Sequence, residues 1–261
     1  MASFFLGIDM GSAASKGILL EEKRVAASYA CPSGGDFRVT AETILQEVLS
    51  RKGLSIQDIV RAVATGYGSK MAPFANATVT DISAHAKGVI HLCPSVRTVV
   101  DVGDLYSKVF RMDEEGNLRN FLLSGKCAGG SARALTVIAK VLQIRVEDMG
   151  ALALQSTRTV EFNTGCAVFA ESEAVSRIAE GAAKEDLLAG LHRALAAQLN
   201  ALAERVGIER DYAAVGGGAR NEGLVKALED INGFEILVPP DPHMTAALGA
   251  ALIAAETGRV T

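Results

Sequence analysis

The strongest constraint on this chain is a short pattern that occurs twice with the same internal spacing. Each copy consists of an apolar segment, Asp-x-Gly, a short turn, Ser-Lys and a second apolar segment. The shared positions are Asp9, Gly11, Ser15 and Lys16 in the first copy, and Asp101, Gly103, Ser107 and Lys108 in the second. Two β-hairpins with the same key residues predict a duplicated α/β fold with two similar lobes.

The segments that follow the two hairpins are also alike. A third strand is predicted at residues 24–29 and at 118–123, and a helical pattern follows at 40–51 and at 131–142. The remaining predicted elements are strands at 59–64 and 212–215, and helices at 82–91, 185–206, 221–229 and 245–255. We therefore predict one lobe from residues 1–95 and 245–261 and a second lobe from residues 96–244, with a cleft between them.

Composition narrows the function classes. The 261 residues are 49% hydrophobic and 21% charged, as in ordinary globular proteins, and the net charge is −4. No basic patch or polybasic run favours nucleic acid or a membrane surface as a partner. The longest apolar stretch, residues 245–255, is too short to span a bilayer, and the N-terminal residues lack the basic region of a signal peptide. A cytoplasmic location is therefore expected.

The first Asp-x-Gly hairpin has the residues that a phosphate clamp needs. Gly11 lets backbone N–H groups approach a phosphate because it has no Cβ. Ser12 and Ser15 add hydroxyl donors, and Lys16 neutralises phosphate charge. Asp9 can hold Mg²⁺ through water, since hard oxygen ligands suit this ion. A plain hairpin with a polar turn is the alternative, but the second copy at matched spacing favours a phosphate clamp. The equivalent residues of that copy are Asp101, Gly103 and Lys108.

A third nucleotide-binding element is predicted where a strand runs into successive glycines. The turn comprises Gly216, Gly217 and Gly218, and a helix follows from about Asn221. Glycine backbone allows a flat ring to lie close to the chain, with the helix N-terminus nearby. Many strand–helix turns are glycine-rich, so this motif alone is not specific. The chain has no Walker loop, and Gly66-Tyr67-Gly68 lacks the third glycine of a dinucleotide-binding fingerprint.

The four cysteines fall into two groups. None belongs to a C-x-x-C pair, which argues against a zinc ribbon or a thioredoxin-like site. Cys31 and Cys93 lie outside glycine-rich turns and are predicted to be buried thiols that behave as small hydrophobic residues. Cys127 and Cys166 lie in glycine-containing segments, each just before a predicted helix.

With these motifs assembled, the sequence resembles the ATPase family of 2-hydroxyacyl-CoA dehydratase activators and benzoyl-CoA reductase ATP-binding subunits. This family belongs to the superfamily of acetate kinase, sugar kinases, heat-shock chaperones and actin. The resemblance extends over nearly the whole chain, and residues 169–173 after a cysteine are specific to the family. The matching segments are Gly7-Ile-Asp-Met-Gly-Ser12, Ala64-Thr-Gly-Tyr-Gly68, Ser83-Ala-His85-Ala, Lys126-Cys-Ala-Gly-Gly130, Cys166-Ala-Val-Phe-Ala-Glu-Ser-Glu173, the Gly216 turn and Ala247-Leu-Gly-Ala250.

The resemblance implies a duplicated actin-like (ribonuclease H-like) two-lobed ATPase fold. It also implies ATP, ADP and Mg²⁺ binding, and one [4Fe–4S] cluster per dimer, held by Cys127 and Cys166 of each protomer. Glycines beside both cysteines and the helix starts after them suit an anionic cluster. The implied activity uses ATP to pass a low-potential electron from a ferredoxin or flavodoxin to a CoA-ester dehydratase or reductase. The second protomer is an identical chain or a homologous subunit.

The second hairpin departs from the family pattern. Asp104, Leu105 and Tyr106 stand where the family has Gly-Gln-Asp, and an apolar Leu105 cannot orient water. Asp104 is the candidate substitute, so the predicted catalytic carboxylates are Asp9, Asp101 and Asp104, and slow ATP hydrolysis is expected. Two alternatives stay open: a weakly hydrolysing regulatory ATP-binding subunit of a heteromeric aryl-CoA reductase, and a small-molecule kinase. The chain is short for a kinase and shows no acceptor-substrate insertion.

Overall fold

The computed structural model describes residues 2–125, 130–158, 160–162 and 167–258. The chain divides into two compact units. Unit 1 comprises Met1–Pro94, Asp113–Leu118 and Met244–Thr261, and unit 2 comprises Ser95–Met112 and Arg119–His243. Within the described residues, no helix is both long enough and apolar enough to cross a membrane.

Unit 1 is built on a five-stranded sheet with the order β3-β2-β1-β4-β5. Strand β2 is antiparallel to both β1 and β3, β4 runs parallel to β1, and β5 runs parallel to β4. The strands are β1 (Phe4–Met10), β2 (Ala14–Glu21), β3 (Arg24–Pro32), β4 (Ile59–Thr65) and β5 (Ala77–Thr78), and the helices are α1 (Phe37–Ser50), α2 (Asp81–Leu92) and α8 (Thr245–Thr257).

Helix α8 forms the centre of the core of unit 1. It packs against β1, β4 and α2, and it is buried around most of its circumference. A helix that is apolar on every side needs such cover on every side. Glycines allow the close approach: a Cβ on Gly7 of β1 would collide with the backbone of α8, and a Cβ on Gly249 of α8 would collide with the Ala84 carbonyl group of α2. The helix predicted at residues 245–255 is therefore confirmed, as a core helix.

Unit 2 is built on a four-stranded sheet with the order β8-β7-β6-β9. Strand β7 is antiparallel to β6, and β9 is parallel to β6. An isolated parallel bridge between Ala213 and Leu237 extends the sheet beyond β9. The strands are β6 (Thr98–Asp101), β7 (Lys108–Met112), β8 (Leu118–Leu123) and β9 (Tyr212–Val215), and the helices are α3 (Arg133–Leu142), α4 (Met149–Ala153), α5 (Ala167–Ala179), α6 (Lys184–Val206) and α7 (Glu222–Asn232).

The two sheets repeat one arrangement, which confirms the duplication predicted from the sequence. In each sheet an antiparallel hairpin pairs the aspartate directly with the lysine, Asp9 with Lys16 and Asp101 with Lys108. In each sheet a later strand lies parallel to the aspartate strand on its other side, β4 in unit 1 and β9 in unit 2. The same residues therefore occupy the same place in both sheets.

Some helix starts differ from the predicted ones for local reasons. Helix α1 begins at Phe37 rather than at residue 40, because the Asp36 carboxylate accepts hydrogen bonds from backbone N–H groups of the first turn. Helix α7 begins at Glu222, and Asn221 caps it instead of belonging to it. The short α4 and the two-residue β5 have no counterpart in the sequence prediction, because elements of this length hold too few residues to show a periodic pattern.

Candidate functional site

The first hairpin holds its aspartate and lysine in an ion pair. The Nζ of Lys16 lies 2.9 Å from Oδ2 of Asp9, and both side chains are largely buried. Gly11 forms the turn, where a Cβ would lie 2.5 Å from the carbonyl oxygen of Ala14, so a larger residue does not fit. Ser12 is half-buried beside it. The hairpin therefore brings a carboxylate, an ammonium group and glycine backbone to one place.

Ser15 supports this turn from the inside. Its side chain is fully buried, and its hydroxyl lies 2.8 Å from the hydroxyl of Ser33. The Ser33 hydroxyl donates a 2.5 Å hydrogen bond to the carbonyl oxygen of Gly11, so its own proton is engaged and Ser15 is the donor between the two serines. The structure thus uses the Ser15 hydroxyl to fix the position of the turn.

The second hairpin holds a more deeply buried ion pair. The Nζ of Lys108 lies 2.6 Å from Oδ2 of Asp101, and the two side chains are 7% and 4% exposed. Gly103 has the role of Gly11, since a Cβ there would lie 2.6 Å from the Tyr106 carbonyl oxygen. The Lys108 ammonium group also lies 5.0 Å from the centre of the Tyr106 ring, within range of a cation–π interaction. Tyr106 therefore flanks the ion pair.

A glycine turn lies against each aspartate. Gly66, after β4, has a φ of +85°, and Gly216, after β9, has a φ of +83°, both of which favour glycine. A Cβ on Gly66 would collide with Oδ1 of Asp9, and a Cβ on Gly216 would collide with Oδ1 of Asp101. In each unit the lysine therefore lies at one carboxylate oxygen and the glycine turn at the other.

The first of these turns is the element that sequence reasoning missed. The Gly68 N–H donates to the carbonyl oxygen of Met10 at 2.9 Å, and the Gly218 N–H donates to that of Val102 at 2.9 Å, so the two turns are equivalent. The available signal was the shared Gly-x-Gly after a strand that follows an Asp-x-Gly hairpin. Tyr67, the middle residue of the first turn, is 69% exposed where the second turn has a glycine.

The backbone of the second turn is open on one side. Among the described residues, nothing lies within 4 Å of a Cβ built on Gly217. Asn221 follows the turn and accepts a 3.1 Å hydrogen bond from the Leu224 N–H through Oδ1. Its Nδ2 is buried and has no hydrogen-bond partner within the described part of the chain. An unpaired buried amide donor next to open glycine backbone fits a polar ligand.

A cavity of about 510 Å³ lies beside this turn in unit 2. Its wall includes Arg220, directly after the glycines, and Lys226 of α7. Val225, Val238 and Pro242 add apolar surface. The cavity therefore combines cationic and apolar walls next to the glycine turn, which suits a flat ring with attached phosphate.

Asp104, the third predicted catalytic carboxylate, is engaged by an arginine. The Arg133 guanidinium group lies 2.7 Å from Oδ2 of Asp104, and this hydrogen bond and the charge of Asp104 raise the pKa of Arg133. The Ala132 N–H donates to the carbonyl oxygen of Gly103 at 2.9 Å. Leu105, next to Asp104, is half-buried. The tip of the second hairpin is therefore bonded to the start of α3.

The predicted cluster ligands Cys127 and Cys166 lie outside the described residues. Helix α5 begins at Ala167, directly after Cys166 in the sequence. Cys31 and Cys93 are half-buried free thiols, and burial raises the pKa of both. A raised pKa disfavours the thiolate that metals bind, so these two are poor ligands. The described residues contain no group of three or more His, Cys, Asp or Glu side chains placed to hold a metal ion.

Comparison with known proteins decides the family. The model of the BadF/BadG/BcrA/BcrD ATPase family matches residues 6–254. The chain belongs to this ATPase family. It is 37% identical to the 2-hydroxyisocaproyl-CoA dehydratase activator of Clostridioides difficile, over 98% of this chain and 96% of the relative. It is 39% identical to the (R)-2-hydroxyglutaryl-CoA dehydratase activating ATPase of Acidaminococcus fermentans, over 97% and 98%. A benzoyl-CoA reductase subunit of Thauera aromatica is 30% identical, over 94% and 91%.

Solved structures agree with this assignment. The activator of the 2-hydroxyisocaproyl-CoA dehydratase from Clostridium difficile, with bound ADPNP, superposes with a TM-score of 0.93 over 98% of this ATPase and 96% of that chain. A ROK family glucokinase from Streptomyces griseus, 14% identical, superposes with a TM-score of 0.59 over 97% and 100%. The second likeness concerns the fold alone. The predicted family and the predicted actin-like α/β fold are both confirmed.

Proposed function

We propose that this ATPase is an activator that uses ATP to pass a low-potential electron to a CoA-ester dehydratase or reductase. The observation that carries the proposal is the pair of hairpins, each of which holds a buried Asp–Lys ion pair against a glycine turn. The relatives support it, because they include two dehydratase activators and one subunit of a benzoyl-CoA reductase. The ADPNP bound in the similar activator supports a nucleotide as the ligand.

The two aspartates are proposed to hold Mg²⁺ through water. Carboxylate oxygens suit this ion, and it keeps most of its water shell in such sites. Lys16 and Lys108 are each fixed by an ion pair at 2.9 Å and 2.6 Å. Cations that are already in place stabilise charge on a transferred phosphoryl group without reorganising during the reaction. Gly11 and Gly103 keep the backbone close enough to donate N–H groups to the phosphates.

The nucleoside part is proposed to bind at the second glycine turn. The open backbone at Gly217 allows a flat ring to approach, and the Asn221 Nδ2 offers a hydrogen-bond donor. Arg220 in the wall of the 510 Å³ cavity can stack on a purine ring, since guanidinium groups pack on aromatic faces.

The proposed cofactor is one [4Fe–4S] cluster per dimer, with Cys127 and Cys166 of each protomer as its ligands. The donor set fits: cubane clusters take four thiolates, and two per chain require a second protomer. The start of α5 directly after Cys166 adds the positive end of a helix dipole. The bound cluster supplies a one-electron carrier, which a ferredoxin or flavodoxin would reduce. Cys31 and Cys93 do not compete as ligands, because burial raises their pKa.

Hydrolysis is proposed to be slow in the isolated chain. Leu105 offers no polar atom to an attacking water, and Asp104 is paired with Arg133. Phosphoryl transfer to water depends on an oriented nucleophile. This pairing also favours a second candidate function, a regulatory ATP-binding subunit that binds nucleotide without driving electron transfer.

Activation of a purified dehydratase distinguishes these functions. The anaerobically reduced protein is mixed with 2-hydroxyisocaproyl-CoA dehydratase and its substrate, with Mg·ATP or with ADPNP. An activator gives dehydration that requires ATP and is lost with ADPNP. A protein that binds ATP but never activates a dehydratase or an aryl-CoA reductase contradicts the activator proposal and supports the regulatory subunit.

A further inference from the structure

The second hairpin is bonded to both sides of the segment that contains Cys127. On the N-terminal side, the Ser124 N–H donates to the Ser107 carbonyl oxygen at 2.9 Å, and the Ser107 N–H donates to the Ser124 hydroxyl at 3.0 Å. On the C-terminal side, the Ala132 N–H donates to the Gly103 carbonyl oxygen at 2.9 Å. Both described sides of this segment therefore move with the hairpin.

The two sides also contact each other and share a charged link. A Cβ on Gly130 would lie 2.9 Å from the Cβ of Ser124, so the two sides approach each other closely. Arg133, the first residue of α3, reaches back to Asp104 at 2.7 Å. Charge-assisted hydrogen bonds of this kind are stronger and more directional than neutral ones. The ion pair thus adds a charged connection to the backbone contacts.

Unit 1 shows the same site without that connection. Ser33 replaces Ser124 there, since its N–H donates to the Ala13 carbonyl oxygen at 3.0 Å. Residues 33–36 link β3 to α1, whereas residues 124–132 link β8 to α3, so the second link is longer. By the repeat spacing, Ser12 stands at the position of Asp104, and α1 begins with Phe37 where α3 begins with Arg133. Neither residue is charged, so unit 1 cannot form the ion pair.

We propose that Asp104 and Arg133 are a positioning pair that transmits nucleotide occupancy at the second hairpin to the start of α3, next to the Cys127 segment. The inference rests on the proposed function. A phosphate that draws in the backbone at Gly103 moves the carbonyl oxygen of Gly103 and the carboxylate of Asp104. The Ala132 N–H and the Arg133 guanidinium group follow, because they are bonded to those atoms. The two sites are then coupled, and such coupling acts in both directions.

The test uses Arg133→Gln, which removes the charge and keeps a polar side chain, and Arg133→Lys, which keeps the charge. Arg145→Gln is the matched control, because Arg145 and Asp148 form an exposed ion pair at 2.6 Å elsewhere in unit 2. Each protein is purified anaerobically, and the rate of iron release to a chelator is measured with and without ADPNP. Hydrogen exchange over residues 130–142 is measured in the same two states, before and after removal of iron.

In the wild type, ADPNP is expected to change the iron-release rate on the order of tenfold and to slow exchange at the start of α3. Arg133→Gln should bind ADPNP and iron as the wild type does but lose both responses, Arg133→Lys should restore part of them, and Arg145→Gln should retain them. Full responses in Arg133→Gln, or their equal loss in Arg145→Gln, overturn the pair's role. A wild type that binds no nucleotide overturns it as well.

The exchange measurement separates this inference from the proposed function. If the wild type holds no iron, the cluster assignment fails, yet exchange at residues 130–142 still reports whether nucleotide reaches α3 through Arg133. A nucleotide response that disappears in Arg133→Gln supports the pair even then. A response that persists in Arg133→Gln overturns it, whatever the iron content.

Discussion

Acidification is expected to destabilise unit 2 through one buried histidine, His192 of α6. The side chain is 1% exposed, and neither ring nitrogen has a hydrogen-bond partner among the described residues. A Cβ on Gly223 of α7 would lie 2.8 Å from Nδ1, so the ring packs tightly against that helix. Burial lowers the pKa of His192 from 6.5 to about 4. The folded protein therefore holds a neutral imidazole well below the pH at which the unfolded chain binds a proton.

The sign and size of the effect follow from this difference in pKa. The unfolded state takes up the proton first as the pH falls, so stability is lost progressively between pH 6.5 and about pH 4. The whole loss amounts to ~3 kcal/mol at the low end. Of this, about 2 kcal/mol is lost between pH 7 and pH 5. A loss of that size is a large fraction of the stability of an ordinary domain.

Urea unfolding at pH 7 and at pH 5, followed by far-ultraviolet circular dichroism, measures this loss. His192→Leu has a similar volume and binds no proton, so its loss between the two pH values should be smaller than that of the wild type by about 2 kcal/mol. His91→Gln changes an exposed histidine of α2 and should behave as the wild type. Equal losses in the wild type and in His192→Leu would refute the reasoning.

Asp9→Asn removes a charge next to the metal and is expected to weaken Mg·ATP binding about tenfold with little loss of fold; unchanged affinity in calorimetry contradicts the role of the first hairpin. Removal of the cluster by a chelator in air is expected to shift the dimer towards monomer in sedimentation, because each chain offers two ligands. A dimer indifferent to cluster loss would mean that protein contacts alone hold it. The triple variant Asp104→Gly, Leu105→Gln and Tyr106→Asp is expected to hydrolyse ATP on the order of a hundredfold faster. Fast wild-type hydrolysis that Asp104→Ala abolishes would reverse that view.

The elements with strong local patterns were predictable from the sequence. Strands β8 and β9 have the predicted bounds, because alternating or continuous apolar residues end at clear turn signals. The pairing of Asp9 with Lys16 in the hairpin register follows from the tight Asp-x-Gly turn. These features depend on residues close together in sequence, so a repeat at fixed spacing is enough to reveal them.

The contacts between distant residues were not predictable in the same way. Asp104 and Arg133 are separated by 29 positions, and no local pattern indicates that α3 begins beside the second hairpin. The use of Ser15 as a support depends on Ser33, which follows the end of a different strand. The first glycine turn was overlooked because its middle residue is Tyr67, and only comparison of the hydrogen bonds in the two units shows its equivalence to the second.

Iron analysis of anaerobically purified protein tests the central claim most directly. One [4Fe–4S] cluster per dimer corresponds to about two irons per chain, in a brown protein that bleaches in air. Cys127→Ser should contain no iron, because a serine oxygen is a poor replacement for a soft thiolate, and Cys31→Ser should match the wild type. Full iron content in Cys127→Ser, or a colourless wild type without iron, would contradict the account.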